Sequence, residues 1–339
     1  MKADPRVAVI GAGSWGTAFA SVPAAKGVST MLWARRPELA EAIAARHENP
    51  EYLPDVALPP SLSATPDLEQ AVSSASVVVM AVPSHAFREI LRSVLTYLPA
   101  EAPVVSLSKG IEQGSLRRMS EVIQQEADLP ATRLAVLSGP NLAKEIARCQ
   151  PSATVVGCAD EGTARELQAM FMAPYFRVYT NPDLVGVELG GAMKNVIAIA
   201  AGMAAGLGFG DNAKASLITR GLAEIARLGV RQGGNPLTFA GLAGMGDLIA
   251  TCYSPLSRNR TVGEQLGKGR LLDDIVGEMK MVAEGVKTSR PLCSIALAAG
   301  VEVPISEHVV KVLYEGVSPQ DMVASLMLRQ AKAELHGIQ

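Results

Sequence analysis

Between Leu189 and Phe209 the only charged side chain is Lys194, followed directly by Asn195. A buried ammonium without a partner is costly, so a folded chain must give it a carboxylate or a chemical task. From Gln232 to Ser257 the only charge is Asp247, inside Gly244-Met245-Gly246-Asp247. Two opposite charges, each isolated in apolar sequence, admit two readings. One is a buried structural ion pair. The other is an acid/base lysine positioned by a carboxylate, its pKa lowered by burial toward the working range. Lys109, in Ser108-Lys109-Gly110, and the run Ser257-Arg258-Asn259-Arg260 ahead of a helical segment near Thr261 add cations suited to an anion. Taken together, these residues describe a pocket for a small phosphorylated carbonyl compound.

A second constellation opens the chain. Gly11-Ala12-Gly13-Ser14-Trp15-Gly16 follows a strand-like run and precedes a helical one. The spacing suits a dinucleotide pyrophosphate: Gly11 for the tight turn, Gly13 for close backbone approach, Gly16 for helix–strand packing. The amides at the helix start, from Ser14 onward, complement negative charge. Trp15 either packs over the turn or touches the coenzyme. The next strand ends Leu32-Trp33-Ala34-Arg35-Arg36. An NAD-preferring turn offers an acid to the ribose 2′-hydroxyl there, whereas guanidiniums suit a 2′-phosphate. NADP(H) is therefore the expected coenzyme, with NAD(H) also accepted. Pro23 falls inside the first helix, where a kink is expected.

These groups need positioning elements. Val7 to Ile10, Thr30 to Trp33, Val77 to Val82, Val104 to Leu107, Leu134 to Leu137 and Ala153 to Val156 read as continuous apolar runs, the mark of strands covered on both faces. Helical stretches such as Ala86 to Leu98 and Leu116 to Glu126 separate them, which argues for a Rossmann-type, doubly wound parallel sheet. Lys109, Gly139 and Asn141 fall at its carboxyl edge, where ligands of such folds bind. After about Val185 strand-like runs give way to helices: Gly190 to Leu207, Ala213 to Leu228, Val262 to Leu266, Thr288 to Ala299 and Ser306 to Tyr314. The expected domains are a dinucleotide-binding domain over 1–188 and an all-α domain over 189–339.

With 339 residues the chain suffices for two such cores, and 48% hydrophobic against 4% aromatic residues leaves the packing to Ala, Val, Leu and Ile. A net charge of −2 provides no footprint for nucleic acid. Cys149, Cys158, Cys252 and Cys293 lie far apart, as do His47, His85, His308 and His336, so zinc-ligand spacing is missing, no metal is expected, and reduced thiols point to the cytoplasm. Met1 to Arg6 leads straight into the first strand without a signal-peptide pattern. The stretch Leu189 to Phe209 is the one membrane candidate; its Gly and Ala content and Lys194 mark it as a buried helix instead. The apolar helical half is compatible with a homodimer.

At these residues the sequence resembles the bacterial NAD(P)-dependent sn-glycerol-3-phosphate dehydrogenases, nearly end to end. The likeness is carried by GAGSWGTA (Gly11 to Ala18), AVPS (Ala81 to Ser84), SLSKG (Ser106 to Gly110), SGPNLAKE (Ser138 to Glu145), GVELGGAMKNVIAIAAG (Gly186 to Gly202), GLAGMGDL (Gly241 to Leu248) and SRNR (Ser257 to Arg260). The resemblance implies a helical domain of the 6-phosphogluconate dehydrogenase C-terminal type and reduction of dihydroxyacetone phosphate to sn-glycerol 3-phosphate, the backbone precursor of phospholipids. It implies Lys194 as acid/base, Lys109 in contact with substrate and coenzyme, and Asp247 in the substrate pocket. Gly139, Asn141, Ser257, Arg258 and Asn259 would face substrate. Ala143, Arg258, Val282 and Glu284 would face the coenzyme. Ala205 and Asn141 depart from the family pattern, which often has an acidic residue and a Thr at those positions. Two rivals share parts of this set. A related dehydrogenase of another hydroxy acid or sugar acid would lack SGPNLAKE and SRNR together, and a catalytically silent coenzyme sensor would not need Lys194, Asp247 and Lys109.

Overall fold

A computed structural model describes residues 4–279, 281–331 and 333. Met1 to Ala3 of the N-terminal lead-in, His336 and the end of the helical domain lie outside the described residues. The chain divides into two compact units: one holds the chain through Ser108 together with Met119–Leu184, the other Lys109–Arg118 together with the chain from Val185 onward. The chain passes for the last time into the helical unit at Val185, where strand-like runs give way to helices. The division also hands the segment 109–118, which follows a sheet strand in sequence, to the helical unit.

The first unit is built on strands β1 (Arg6–Ile10), β2 (Ser29–Trp33), β3 (Glu48–Asn49), β4 (Leu53–Ala57), β5 (Leu62–Thr65), β6 (Val77–Met80), β7 (Val104–Ser106), β8 (Leu134–Ser138), β9 (Ser152–Cys158) and β10 (Phe176–Asn181). Among the described residues eight of them form one sheet in the order β10-β9-β8-β7-β6-β1-β2-β5, and β3 pairs only with β4. Within the eight-stranded sheet all neighbours are parallel except β8 and β9, so β9 and β10 run against its other strands. The expectation of a parallel sheet is corrected at that edge. The connection from β8 to β9 holds only the short helix Ala143–Ala147, four residues before β9, and a single turn of helix is too short to carry the chain back along the sheet as the crossover to a parallel neighbour requires.

Alternation along the central strands shows why they read as unbroken apolar runs. Val7 and Val9 of β1 enter one core, and Ala8 and Ile10 the other. In β6, Val77 and Val79 go one way, Val78 and Met80 the other. Helix Ser14–Ala25 covers the first face with Ala18, Phe19 and Val22, while Phe87–Leu95 and Met119–Ala127 cover the second. Pro23 stands in the last turn of Ser14–Ala25. The hydrogen bond that it removes is therefore one of the last in the helix, and its own carbonyl accepts the Lys26 and Val28 amides as the chain leaves. Strands β3, β4, β5 and β10 escaped the sequence reading because they are short or carry exposed positions that break the apolar run.

The second unit is helical and centres on Leu184–Gly206, whose residues Gly186 through Ala204 are all buried. By length and composition this helix is apolar enough to cross a membrane, yet 89% of its most apolar window is packed inside the protein. Its lack of a polar face fits a helix surrounded by neighbours. One neighbour, Arg258–Gly267, approaches backbone to backbone. A Cβ at Gly202 would stand 2.1 Å from the Arg260 carbonyl oxygen, and one at Gly263 would stand 1.9 Å from that of Ile199. Only glycine at both positions permits this approach, which brings Asn259 onto the Lys194 helix.

Candidate active site

In the first unit the glycine turn has the geometry that its spacing suggested. Gly11 adopts φ +116°, its amide donates to the Trp33 carbonyl at 3.1 Å, and a Cβ there would meet the Ala81 carbonyl oxygen at 2.7 Å. A Cβ on Gly16 would strike the Gly11 carbonyl oxygen at 1.9 Å, so this glycine seats the helix on the turn. At Gly13 a Cβ would meet nothing within 4 Å, which leaves the backbone open to a ligand. Gly13 caps Ser14–Ala25 without any side-chain hydrogen bond, so the first helical amides remain available to an anion. The residues present thus fit a dinucleotide phosphate. The Trp15 ring packs edge-on to Phe19 at 5.8 Å, while its buried Nε1 has no protein partner.

The two guanidiniums after β2 are not equivalent. Arg35 is exposed. Arg36 pairs with Glu51 and lies over the Tyr52 ring, 5.7 Å from its centroid. Sequence reading missed Glu51 and Tyr52, since the turn joining β3 to β4 carries no motif of its own. Farther along, Gly139 has φ +144° and lies against Thr154. Asn141 Nδ2 donates to Thr154 Oγ1 at 3.0 Å, and Asn141 Oδ1 is buried without a protein partner. Ala143 begins the short helix Ala143–Ala147.

In the second unit the isolated charges meet. Lys194 Nζ donates to Asp247 Oδ1 at 2.5 Å and to Thr251 Oγ1 at 2.6 Å. Lys109 Nζ donates to the other carboxylate oxygen, Oδ2, at 2.6 Å. Asp247 is 1% exposed and Lys194 8%, while Lys109 keeps 14%. Burial lowers the Lys194 pKa; Asp247 opposes that shift, the Lys109 ammonium adds to it, and the result is about 8. One carboxylate thus serves two ammoniums.

Local structure explains the placement. Leu242–Gly246 forms a π-helical turn, with the Gly246 amide bonding five residues back to Gly241 at 3.1 Å. It leads into Asp247–Tyr253, which puts Asp247 and Thr251 four residues apart on one buried face. Thr251 was missed, although that i, i+4 spacing from Asp247 was the available signal. Gly190 allows the turn to lie on the Lys194 helix, because a Cβ there would be 2.6 Å from the Ala243 carbonyl oxygen. Segment 109–118 is tied to the same helix by Arg118–Glu188 at 3.0 Å and by Asn195 Nδ2, which donates to the Lys109 carbonyl at 3.1 Å.

A chain of amides extends outward from there. Asn259 Nδ2 donates to Asn195 Oδ1 at 2.9 Å, and Asn259 Oδ1 accepts the Gly285 amide at 2.9 Å. Ser257 caps Arg258–Gly267 by accepting the Arg260 amide at 3.2 Å, and Arg260 pairs with Glu264. Within that run Arg258 differs: it is exposed, with Nη1 on the Val282 carbonyl at 2.8 Å, two residues before Glu284. Lys109, Lys194, Asp247 and Asn259 therefore belong to one hydrogen-bonded network of the second unit, with Arg258, Val282 and Glu284 at its neighbouring helix starts. Gly11 to Gly16, Arg35, Arg36, Gly139, Asn141 and Ala143 belong to the first unit. Among the described residues no group of three His, Cys, Asp or Glu is placed to hold a metal ion.

Comparison with known proteins covers nearly the whole chain. Residues 6–164 match the family model for the NAD-dependent glycerol-3-phosphate dehydrogenase N-terminus, and residues 183–324 match that for the C-terminus. A glycerol-3-phosphate dehydrogenase [NAD(P)+] of Thermobifida fusca is 55% identical over 334 residues, 98% of this chain and 99% of that one. One from Corynebacterium aurimucosum is 54% identical over 97% of this chain and 99% of its own. A crystal structure of glycerol-3-phosphate dehydrogenase from Coxiella burnetii superimposes with a TM-score of 0.91 at 36% identity, covering 96% of this chain and 99% of that one.

Proposed function

This chain belongs to the NAD-dependent glycerol-3-phosphate dehydrogenase family, and on that premise we propose that Lys194 is its acid/base, tuned by Asp247 and Lys109. The enzyme is an oxidoreductase that interconverts dihydroxyacetone phosphate and sn-glycerol 3-phosphate with a nicotinamide coenzyme, a reaction that supplies the glycerophospholipid backbone. The nicotinamide coenzyme supplies the hydride for the ketone carbon. Lys194 then gives its proton to the developing alkoxide, which becomes the secondary alcohol. Lys109 places positive charge beside that oxygen, where negative charge grows during the reaction. Asp247 holds both ammoniums in place and keeps Lys194 protonated near neutral pH. The observation that carries this reading is the sharing of one buried carboxylate by two lysines, since a structural pair needs only one.

For the coenzyme, the assignment comprises Gly11, Gly13, Ser14, Trp15 and Gly16 for the phosphates and Arg35 and Arg36 for the adenosine ribose. Ala143, Arg258, Val282 and Glu284 follow the family pattern. Gly139, Asn141, Ser257, Arg258 and Asn259 are assigned to the substrate, and Arg258, as the exposed cation of its run, suits the substrate phosphate. NADP(H) is the preferred coenzyme on this reading. The reading extends to a cytoplasmic homodimer, supported by four unpaired cysteines and by exposed Met245, Ile249 and Tyr253 on the helical unit.

Assays with dihydroxyacetone phosphate and either NADPH or NADH test the function directly. Replacing Arg35 by Asp is expected to lower kcat/KM for NADPH roughly ten- to hundredfold while NADH is little affected, as for loss of a charge-assisted contact. An unchanged ratio of the two efficiencies would remove Arg35 from the site. A pH series tests the acid. With Lys194 titrating near 8, its protonated form is depleted above that pH, so the reduction rate should fall from about pH 8 upward. Oxidation of sn-glycerol 3-phosphate needs the neutral amine and should rise through the same range. Profiles that bend the same way in both directions would contradict an acid/base at this position.

A further inference from the structure

The residues after β2 offer cations where a ribose 2′-hydroxyl would look for an acid, yet the fold brings an acid back from elsewhere. Glu51 lies in the turn between β3 and β4, and its carboxylate takes the Arg36 guanidinium. Arg36 Nη2 is 3.5 Å from Tyr52 Oη, and the Tyr52 hydroxyl also bonds Glu51. The side chains of Arg36 and Glu51 remain 47% and 34% exposed. A pair so exposed adds little stability.

This turn is fixed to the phosphate-binding turn. Asn49, wholly buried, donates from Nδ2 to the Ala12 carbonyl at 2.9 Å and to Thr17 Oγ1 at 2.8 Å. Its Oδ1 accepts the Tyr52 amide at 3.0 Å. The backbone that carries Glu51 is thus held in register with the glycine turn, and Leu53 behind it is fully buried. Arg35, Arg36 and Glu51 thus meet at the end of β2, and Glu38 of the helix that follows adds negative charge beside Arg36.

A 2′-phosphate brings negative charge to that place, so Glu51 repels it and competes with it for Arg36. A 2′-hydroxyl, in contrast, finds in Glu51 the acceptor that the β2 sequence lacks. We propose that Glu51 is a specificity-determining residue: it accepts the ribose 2′-hydroxyl of NAD(H) and restrains Arg36, so that the coenzyme site accepts both NAD(H) and NADP(H). This rests on the coenzyme assignment of the glycine turn and Arg35-Arg36 given above.

The test is calorimetric titration of the full chain with 2′,5′-ADP and with 5′-AMP, which differ only in the 2′-phosphate, alongside kcat and KM for NADPH and NADH. Glu51→Gln removes the charge and keeps the shape, and Glu51→Ala also removes the acceptor oxygen with which the Gln variant can still bond Arg36. In both variants 2′,5′-ADP should bind roughly five- to tenfold tighter, the scale of one like charge removed near a surface, and 5′-AMP should bind more weakly. KM for the two coenzymes should move in opposite directions while kcat stays level, a split that a structural defect would not produce. Arg35→Asp in the same titrations separates two failures. A preference for 2′,5′-ADP that Arg35→Asp lowers and neither Glu51 variant raises overturns the role of Glu51 alone. A preference that none of the three moves overturns the coenzyme assignment as well.

Discussion

Lys194→Ala is expected to reduce kcat in both directions by roughly 10²–10⁴-fold, the range that a positioned general acid or base contributes. The folded protein should survive the change. Alanine removes a buried ammonium from a helix whose other charge, Glu188, is paired with Arg118, and Asp247 keeps Lys109 and Thr251 as partners. The glycine turn lies in the other unit, so the affinity for NADPH, read by calorimetry, should match that of the parent. Single-turnover oxidation of NADPH by dihydroxyacetone phosphate then isolates the chemical step. A variant with near-normal kcat would return Lys194 and Asp247 to the status of a buried ion pair.

Asp247→Asn should do damage of a different kind. It leaves the Lys194 and Lys109 ammoniums together without their counter-charge, and breaking a buried pair in this way costs about 3–5 kcal/mol. Asp247 raises the Lys194 pKa toward its present value, so its loss lets burial and Lys109 push that pKa below about 8. The reduction profile should therefore bend at lower pH than in the parent. Stability carries an independent signature. A lysine whose folded pKa is depressed costs stability while the unfolded chain holds the proton, and that cost fades as pH rises toward the unfolded pKa near 10.4. Urea melts should show the largest deficit at neutral pH and a smaller one at pH 9. A deficit independent of pH would mean that the lysines are not the source.

The variants differ in what they ask of the chain, and so did the residues in how openly they showed their roles. The Gly11–Gly16 turn was legible because its requirements are local: a positive φ, an open backbone and a seat for the helix fall within six positions. The central strands were legible because burial on both faces leaves an unbroken apolar run. Lys194 and Asp247 stood out as lone charges that burial had to answer for. Strand β10, in which exposed Arg177 and Tyr179 alternate with buried Phe176 and Val178, left no such run. The reversal at β9 depends on the length of chain available for a crossover, which is a property of the connection and not of the strand.

The sequence by itself determined the two-part architecture, the phosphate turn and the list of charges needing partners, because periodicity, backbone sterics and the cost of a bare charge act on neighbouring residues. Only the tertiary structure decided how those charges are matched. Lys109 follows a sheet strand yet belongs to the helical unit, and it shares Asp247 with Lys194 across 138 residues of chain. Glu51 reaches Arg36 from a turn without a motif. Both matches depend on how closely backbones approach, through Gly190 under the Asp247 turn and through Asn49 beneath the glycine turn. Such approaches are fixed by the packing of whole elements, and no window of sequence contains them.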